Sequence, residues 1–143
     1  MKTRILAALV ALPLALIPIW LGGRWCTLLF LVAAIIAGLE FYNLMEIGGF
    51  HPNRWVGIVW ACALLLNGWR ADLCPLAPLL IAGLLITMID ALRFKENPAG
   101  RWMSTSVGAI VLGVAGGQTL ALRQLPDGVW WLLYGLAVAW AND

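Results

Sequence analysis

Val129-Trp130-Trp131-Leu132-Leu133-Tyr134-Gly135-Leu136-Ala137-Val138-Ala139-Trp140-Ala141-Asn142-Asp143 is the stretch whose reading decides the fold class. Residues 129–141 carry no charge, and a carboxamide and a carboxylate follow them directly. An unbroken apolar run without period-2 alternation reads as a helix in apolar surroundings, not as a half-buried strand. It is short against the ~20 residues that cross a bilayer. An Asp at the centre of a membrane helix costs about 3 kcal/mol, so such a residue needs water or a polar cavity. Two readings follow for Asn142 and Asp143: they mark the membrane surface, or they stand at the mouth of a polar site.

Working outward, five further apolar runs precede this one, at 5–21, 25–45, 55–69, 76–92 and 102–122. Hydrophobic side chains make up 63% of the 143 residues and charged ones 11%, with a mean hydropathy of +0.92. A water-soluble domain of this size cannot bury so much apolar surface, so lipid must be the solvent. Helices and closed barrels are the backbone solutions available there, and continuous runs select helices. The expected fold is therefore all-α: a single polytopic helical membrane region of about six transmembrane helices, at 5–21, 25–45, 55–69, 76–92, 102–122 and 129–143. The third run is the weakest of them. A net charge of +2, scattered along the chain, argues against a nucleic-acid partner. Cys26, Cys62 and Cys74 show no CxxC spacing and read as small buried hydrophobes.

The first run follows a basic start, Met1-Lys2-Thr3-Arg4, as a signal peptide would. No small-x-small cleavage site closes it, because Arg24 and Trp25 stand where small residues would be required. It therefore reads as a retained span, kinked at Pro13 and Pro18. Gly22 and Gly23 predict a tight turn. Residues 46–54, with Gly48, Gly49 and Pro52, predict a loop in which His51 is a loop histidine. Residues 93–101 form the most polar stretch, read as a solvated loop able to attract anionic headgroups or a triphosphate through Arg93, Lys95 and Arg101.

Three polar residues inside the runs need partners. Glu40 lies five residues before Met45, about 7.5 Å along a helix axis. It reaches the headgroup layer or faces inward as a functional group. Asp90 is accounted for by an i,i+3 pair with Arg93. Gln118 requires a polar neighbour. Ala109, Gly113 and Gly117 recur every four residues, a small-residue stripe that lets another helix approach closely, either within the chain or across a homodimer.

Six spans place Lys2, Arg4, Arg54, Arg93, Lys95 and Arg101 on the amino-terminal side and Arg24, Arg70 and Arg123 on the other. This bias puts the amino terminus in the cytoplasm, and an even span count returns Asp143 to the same side.

Leu125-Pro126-Asp127-Gly128, Trp131-Leu132-Leu133 and Trp140-Ala141-Asn142-Asp143 resemble the lead into the Trp-Ala-Asn-Asp-Thr-Gly-Ala-Tyr segment of the bacterial phosphatidate cytidylyltransferase (CDP-diacylglycerol synthase) family. Lys2-Thr3-Arg4-Ile5, Ala8-Leu9-Val10 and Pro13-Leu14-Ala15 are similar to that family's amino-terminal start, and Glu40-Phe41-Tyr42 to the end of its second span. The resemblance implies a multi-pass protein of the bacterial inner (cytoplasmic) membrane that transfers CMP from CTP to phosphatidate, giving CDP-diacylglycerol and pyrophosphate. It implies Mg²⁺ as cofactor, with Asp143 as the catalytic and metal-binding residue and Asn142 as its polar neighbour. The continuation of the segment, the basic glycine-rich stretch and the carboxy-terminal catalytic half of the family are not among the 143 residues. The chain by itself is therefore expected to be inactive. The alternative is a non-enzymatic membrane partner or assembly subunit. A small transporter is weaker, since no pair of interrupted helices recurs in two halves. No GxGxxG, P-loop, HExxH or Cys/His metal spacing occurs.

Overall fold

The computed structural model describes residues 15–72 and 75–142. They form a helical stretch at 15–21 (α1), then α2 (Gly23–Ile47), α3 (Arg54–Trp69), α4 (Leu76–Leu92), α5 (Pro98–Gln124) and α6 (Gly128–Asn142). No strand occurs among the described residues, as the unbroken apolar runs require. Of these helices, α2 and α5 are long and apolar enough to cross a membrane, while α4 and most of α6 are apolar but shorter. The first part of the 5–21 run, and Cys74, lie outside the described residues.

One boundary is corrected. Residues 93–101 are not all loop: α5 begins at Pro98, and Arg101 lies in its first turn. Asn97 adopts φ 47° and its side chain accepts a hydrogen bond from the Gly100 N–H at 3.0 Å. Pro98 has no N–H to lose at the first helical position, and its fixed φ suits it. The Asn-Pro pair was the sequence signal for this start, and the polarity of the segment masked it.

The weakest run became the most enclosed helix. In α3, Gly57, Ile58, Trp60, Ala61, Leu64, Leu65 and Asn67 are all buried. Its 16 residues are about 24 Å long, and its other walls are protein: α5, α2 and α4. The Ala109, Gly113 and Gly117 stripe lies buried in the α3–α5 seam. A Cβ on Gly113 would stand 2.7 Å from the Ala61 carbonyl oxygen, and one on Gly117 2.9 Å from that of Leu64. A Cβ on Gly68 would collide with the main chain of Gly117. Of the two roles open to the stripe, the structure realises the intramolecular one, and α3 of the same chain covers it.

The helices alternate in direction, so connectors gather at two ends. One end (end A) holds residues 48–53 and 93–97; the other (end B) holds the Gly22 turn, residues 70–72 and residues 125–127. At end B, Arg123 Nε donates to the Ile19 carbonyl at 2.9 Å and Nη2 to that of Trp20 at 3.3 Å, capping α1. Its guanidinium occupies the place a side chain on Gly22 would need, and Gly22 itself has φ 68°. Gln124 donates to the Gly68 and Trp69 carbonyls at 2.8 and 3.2 Å. The buried apolar residues form two clusters: Ile19, Cys26, Ala34, Leu65, Leu120 and Leu132, and Trp60, Ala61, Leu64 and Ala109. Cys26 is buried as expected and Cys62 is half-buried, both as free thiols.

If the seam depends on backbone approach, Gly113→Val will destabilise the bundle by roughly 2 kcal/mol, the scale of overpacking in a tight interior. Ala115→Val, on an exposed position of the same helix, will change little. Thermal unfolding in detergent followed by circular dichroism measures both; equal midpoints would refute the seam.

Candidate functional site

End A carries the polar cluster of the molecule. Asp90, near the carboxyl end of α4, accepts from Arg101 Nε at 2.9 Å through one carboxylate oxygen and from Asn53 Nδ2 at 2.9 Å through the other. Arg101 also donates through Nη1 to the His51 carbonyl at 2.7 Å, and its guanidinium carbon lies 4.5 Å from the centre of the Phe94 ring. Asn53 is the N-cap of α3: its side-chain oxygen accepts from the Val56 N–H at 3.3 Å. The Asn53 N–H in turn donates to Thr105 Oγ1 at 2.9 Å. Tyr42, from α2, donates its hydroxyl to the Thr105 carbonyl at 2.9 Å. Four helices and two connectors thus meet through six side chains, Tyr42, Asn53, Asp90, Phe94, Arg101 and Thr105.

The expected i,i+3 pair of Asp90 with Arg93 is therefore corrected. Asp90 pairs with Arg101, because the early start of α5 brings that guanidinium beside the end of α4. Arg93 and Lys95 are exposed, and neither has an ion-pair partner among the described residues. A second ion pair joins Arg54 to Glu46, at 2.6 and 2.8 Å to the two carboxylate oxygens. His51 is an exposed loop residue with φ 47°; what it contributes to the cluster is its carbonyl. Glu40 is exposed on α2 and points away from the bundle interior, so its inward-facing reading is not realised. Gln118 is also exposed and makes no hydrogen bond among the described residues.

Both ion pairs oppose the helix dipoles. Glu46 and Asp90 stand at carboxyl ends of helices, where a negative charge is unfavourable, and Arg54 and Arg101 stand in first turns, where a positive charge is. Helix propensity does not ask for these charges there. Their effect is to tie the end of one helix to the start of the next, so end A is closed by side-chain electrostatics.

Asp143, the expected catalytic and metal-binding residue, lies outside the described residues, and Asn142 is the last residue of α6. Among the described residues no group of three or more His, Cys, Asp or Glu could hold a metal ion. Glu46 and Asp90 are each bound by an arginine. No buried side-chain polar atom among the described residues lacks a hydrogen-bond partner. Sequence reasoning missed Tyr42, Asn53 and Thr105. Asn53 was detectable as an N-cap before an apolar run; the roles of Tyr42 and Thr105 depend on tertiary contacts alone.

Among the described residues end A thus gathers Arg54, Arg93, Lys95 and Arg101 with Glu46, Asp90 and Glu96. A model described as the Cytidylyltransferase family matches residues 2–143. The chain belongs to the cytidylyltransferase family, the CDP-diacylglycerol synthase family that its two ends and Glu40-Phe41-Tyr42 resemble, and it is thereby of a CTP-dependent nucleotidyltransferase kind. No curated protein and no solved structure matches it.

The side chains of Asp90 and Arg101 are 29% and 15% exposed, against 37% each for Glu46 and Arg54. A double-mutant cycle on Asp90→Asn and Arg101→Ala should give a coupling of about 1–2 kcal/mol in unfolding experiments. The same cycle on Glu46→Gln and Arg54→Ala should stay below about 1 kcal/mol. The reverse order would contradict the clip.

Proposed function

We propose that this chain forms the membrane-embedded amino-terminal helical region of a phosphatidate cytidylyltransferase, with six spans and end A in the cytoplasm. The family match over residues 2–143 carries the reading. In this reaction a phosphatidate phosphate oxygen attacks the α-phosphorus of CTP. A new P–O bond forms, the bond to the β-phosphate breaks, and pyrophosphate leaves with CDP-diacylglycerol as product. Both reactants are anions, so a basic surface where lipid meets cytosol favours their encounter. Arg93 and Lys95 supply that surface, each attracting an anionic lipid by about 1 kcal/mol. Asp143 remains the proposed acidic residue of the reaction.

Exposed aromatic side chains support the membrane placement. Trp20, Trp25, Trp130 and Trp131 are exposed near end B, and Trp55 near end A, as in the aromatic belts at membrane–water interfaces. Trp20 and Trp130 meet edge to face, ring centres 6.2 Å apart. Between the belts, Val32, Ile36, Ile81, Leu85 and Val111 all face outward. Among the described residues Arg54, Arg93, Lys95 and Arg101 lie at end A and Arg24, Arg70 and Arg123 at end B, the grouping that favours a cytoplasmic end A.

We further propose that the 143 residues alone do not catalyse transfer, since at end A Glu46 and Asp90 are engaged by arginines and Glu96 is a single exposed carboxylate. A non-enzymatic assembly role is the second reading. The buried stripe does not serve it; the outer face of α2, where Glu40 interrupts exposed Ile36 and Leu44, does.

Two measurements test the proposal. Purified chain given labelled CTP and phosphatidate vesicles is expected to yield no labelled lipid, and product formation would overturn the inactivity. In a background carrying Cys26→Ala, Cys62→Ala and Cys74→Ala, Phe50→Cys and Leu125→Cys, both at exposed positions, are expected to react with a membrane-impermeant maleimide from opposite faces of sealed vesicles. Labelling from the same face would refute the six-span arrangement.

A further inference from the structure

Between α3 and α4 lies a groove of about 450 Å³, within the range of small-molecule sites. Trp55, Trp60, Ala63, Ala82, Gly83 and Ile86 are among its walls. Its depth has an identifiable cause. The Trp60 ring is pinned flat by its indole N–H, which donates to the Leu79 carbonyl at 3.0 Å, and it fills the place a side chain on Gly83 would take. Small residues at 63 and 82 keep the remainder open. From Trp55 to Ala63 the groove follows α3 for about 12 Å.

Its two ends differ in chemistry. The walls are apolar; the Trp60 N–H is already used, and the other polar group among the six residues named is the indole N–H of the exposed Trp55. At end A the groove begins at Trp55, which is 69% exposed. Leu79, Ile86 and Arg93 are seven residues apart and therefore share one face of α4. Arg93, at the α4 C-cap, brings to that end a positive charge with no ion-pair partner among the described residues. An apolar slot with a cation at its polar end is complementary to an acyl chain bearing an anionic headgroup. Beyond Trp55 it offers a second helix no free polar group along its length with which to fix its register.

We propose that the α3–α4 groove retains one anionic diacyl glycerophospholipid from the surrounding bilayer, an acyl chain lying along Trp60 and Gly83 and the phosphate at Arg93. The inference rests on the membrane placement proposed above. The lipid completes the wall between two helices that small residues leave apart.

The test is lipid retention. The full chain is reconstituted into vesicles of phosphatidylcholine and phosphatidylglycerol in equal parts, re-extracted in mild detergent, and weighed by native mass spectrometry. About one phosphatidylglycerol per chain is expected to remain. Ala63→Phe and Ala82→Phe, which fill the slot, should lower that occupancy about tenfold. Val32→Phe, on the outer face of α2, should leave it unchanged. Arg93→Gln should weaken the preference for phosphatidylglycerol over phosphatidylcholine about fivefold, the effect of one cation near an anionic headgroup. Helical circular dichroism and a single gel-filtration peak identify the variants that fold, and Arg93→Gln alters only an exposed side chain. Wild-type chain that needs detergent for extraction yet carries no lipid would overturn the groove and spare the membrane placement. Chain that leaves the membrane without detergent would overturn both. Equal retention by the filled variants, or no change in lipid preference with Arg93→Gln, would also defeat the proposal.

Discussion

The closeness with which α3 and α5 meet constrains everything else in the bundle. Apolar side chains gain little by leaving lipid for a protein interior, so helix association in such surroundings rests on contact area and on backbone groups that come near one another. Glycine and alanine at 68, 109, 113 and 117 allow that approach. The seam buries one side of α3, including Ala61, Leu64 and Leu65, while Trp55 and Val59 on its other side stay exposed. The remaining packing follows from the same device. Tyr42 lies where side chains on Gly57 and Gly108 would be, and Trp60 where one on Gly83 would be. Large aromatics are thus seated against missing side chains throughout the bundle.

Polar groups are used with similar economy. Inside the helices Thr87 and Ser106 meet at 3.1 Å, and Thr87 also donates to the carbonyl of its own preceding turn at Gly83. Such groups find partners in the same or the adjacent helix, as burial away from water demands. Apart from Glu40 on α2, the charged groups described lie at the ends, where two arginines and two carboxylates sit at helix termini that their own dipoles disfavour. A fold maximising helix stability would reverse those signs. Their placement is explained by the connectors they tie, in particular by the His51 carbonyl that Arg101 holds.

Much of the fold was legible because long apolar runs need few rules: length and continuity place α2, α4 and α6 to within two residues. The start of α5 was obscured because Lys95, Glu96 and Arg101 look like solvated loop, although Asn97 and Pro98 form a helix start. The importance of α3 was hidden by its brevity, which only burial explains. The stripe in α5 was visible as a surface for close approach, but its partner was not, since a seam within the chain and one between chains have the same spacing. The end-A cluster was least legible. Asp90 and Arg101 are eleven residues apart, and their pairing depends on where α5 begins. Family membership, by contrast, was readable from a few residues at the two ends, because those residues mark chemistry and packing does not substitute for them.

The two ends of the bundle also divide their labour. At end B the closing bonds run from Arg123 and Gln124 to backbone carbonyls, neutral acceptors that cannot be exchanged for an approaching anion. At end A the closing bonds join opposite charges, which an anionic headgroup or nucleotide could in principle contest. Burial decides that contest. Arg101 is shielded by Phe94 and held by both Asp90 and a carbonyl, so an incoming phosphate would have to displace two partners from a largely covered side chain. Arg93 and Lys95 have no such ties. The same stretch of sequence therefore separates two states that charge alone would merge: one arginine keeps the end closed, while its exposed neighbours Arg93 and Lys95 have no ion-pair partner among the described residues.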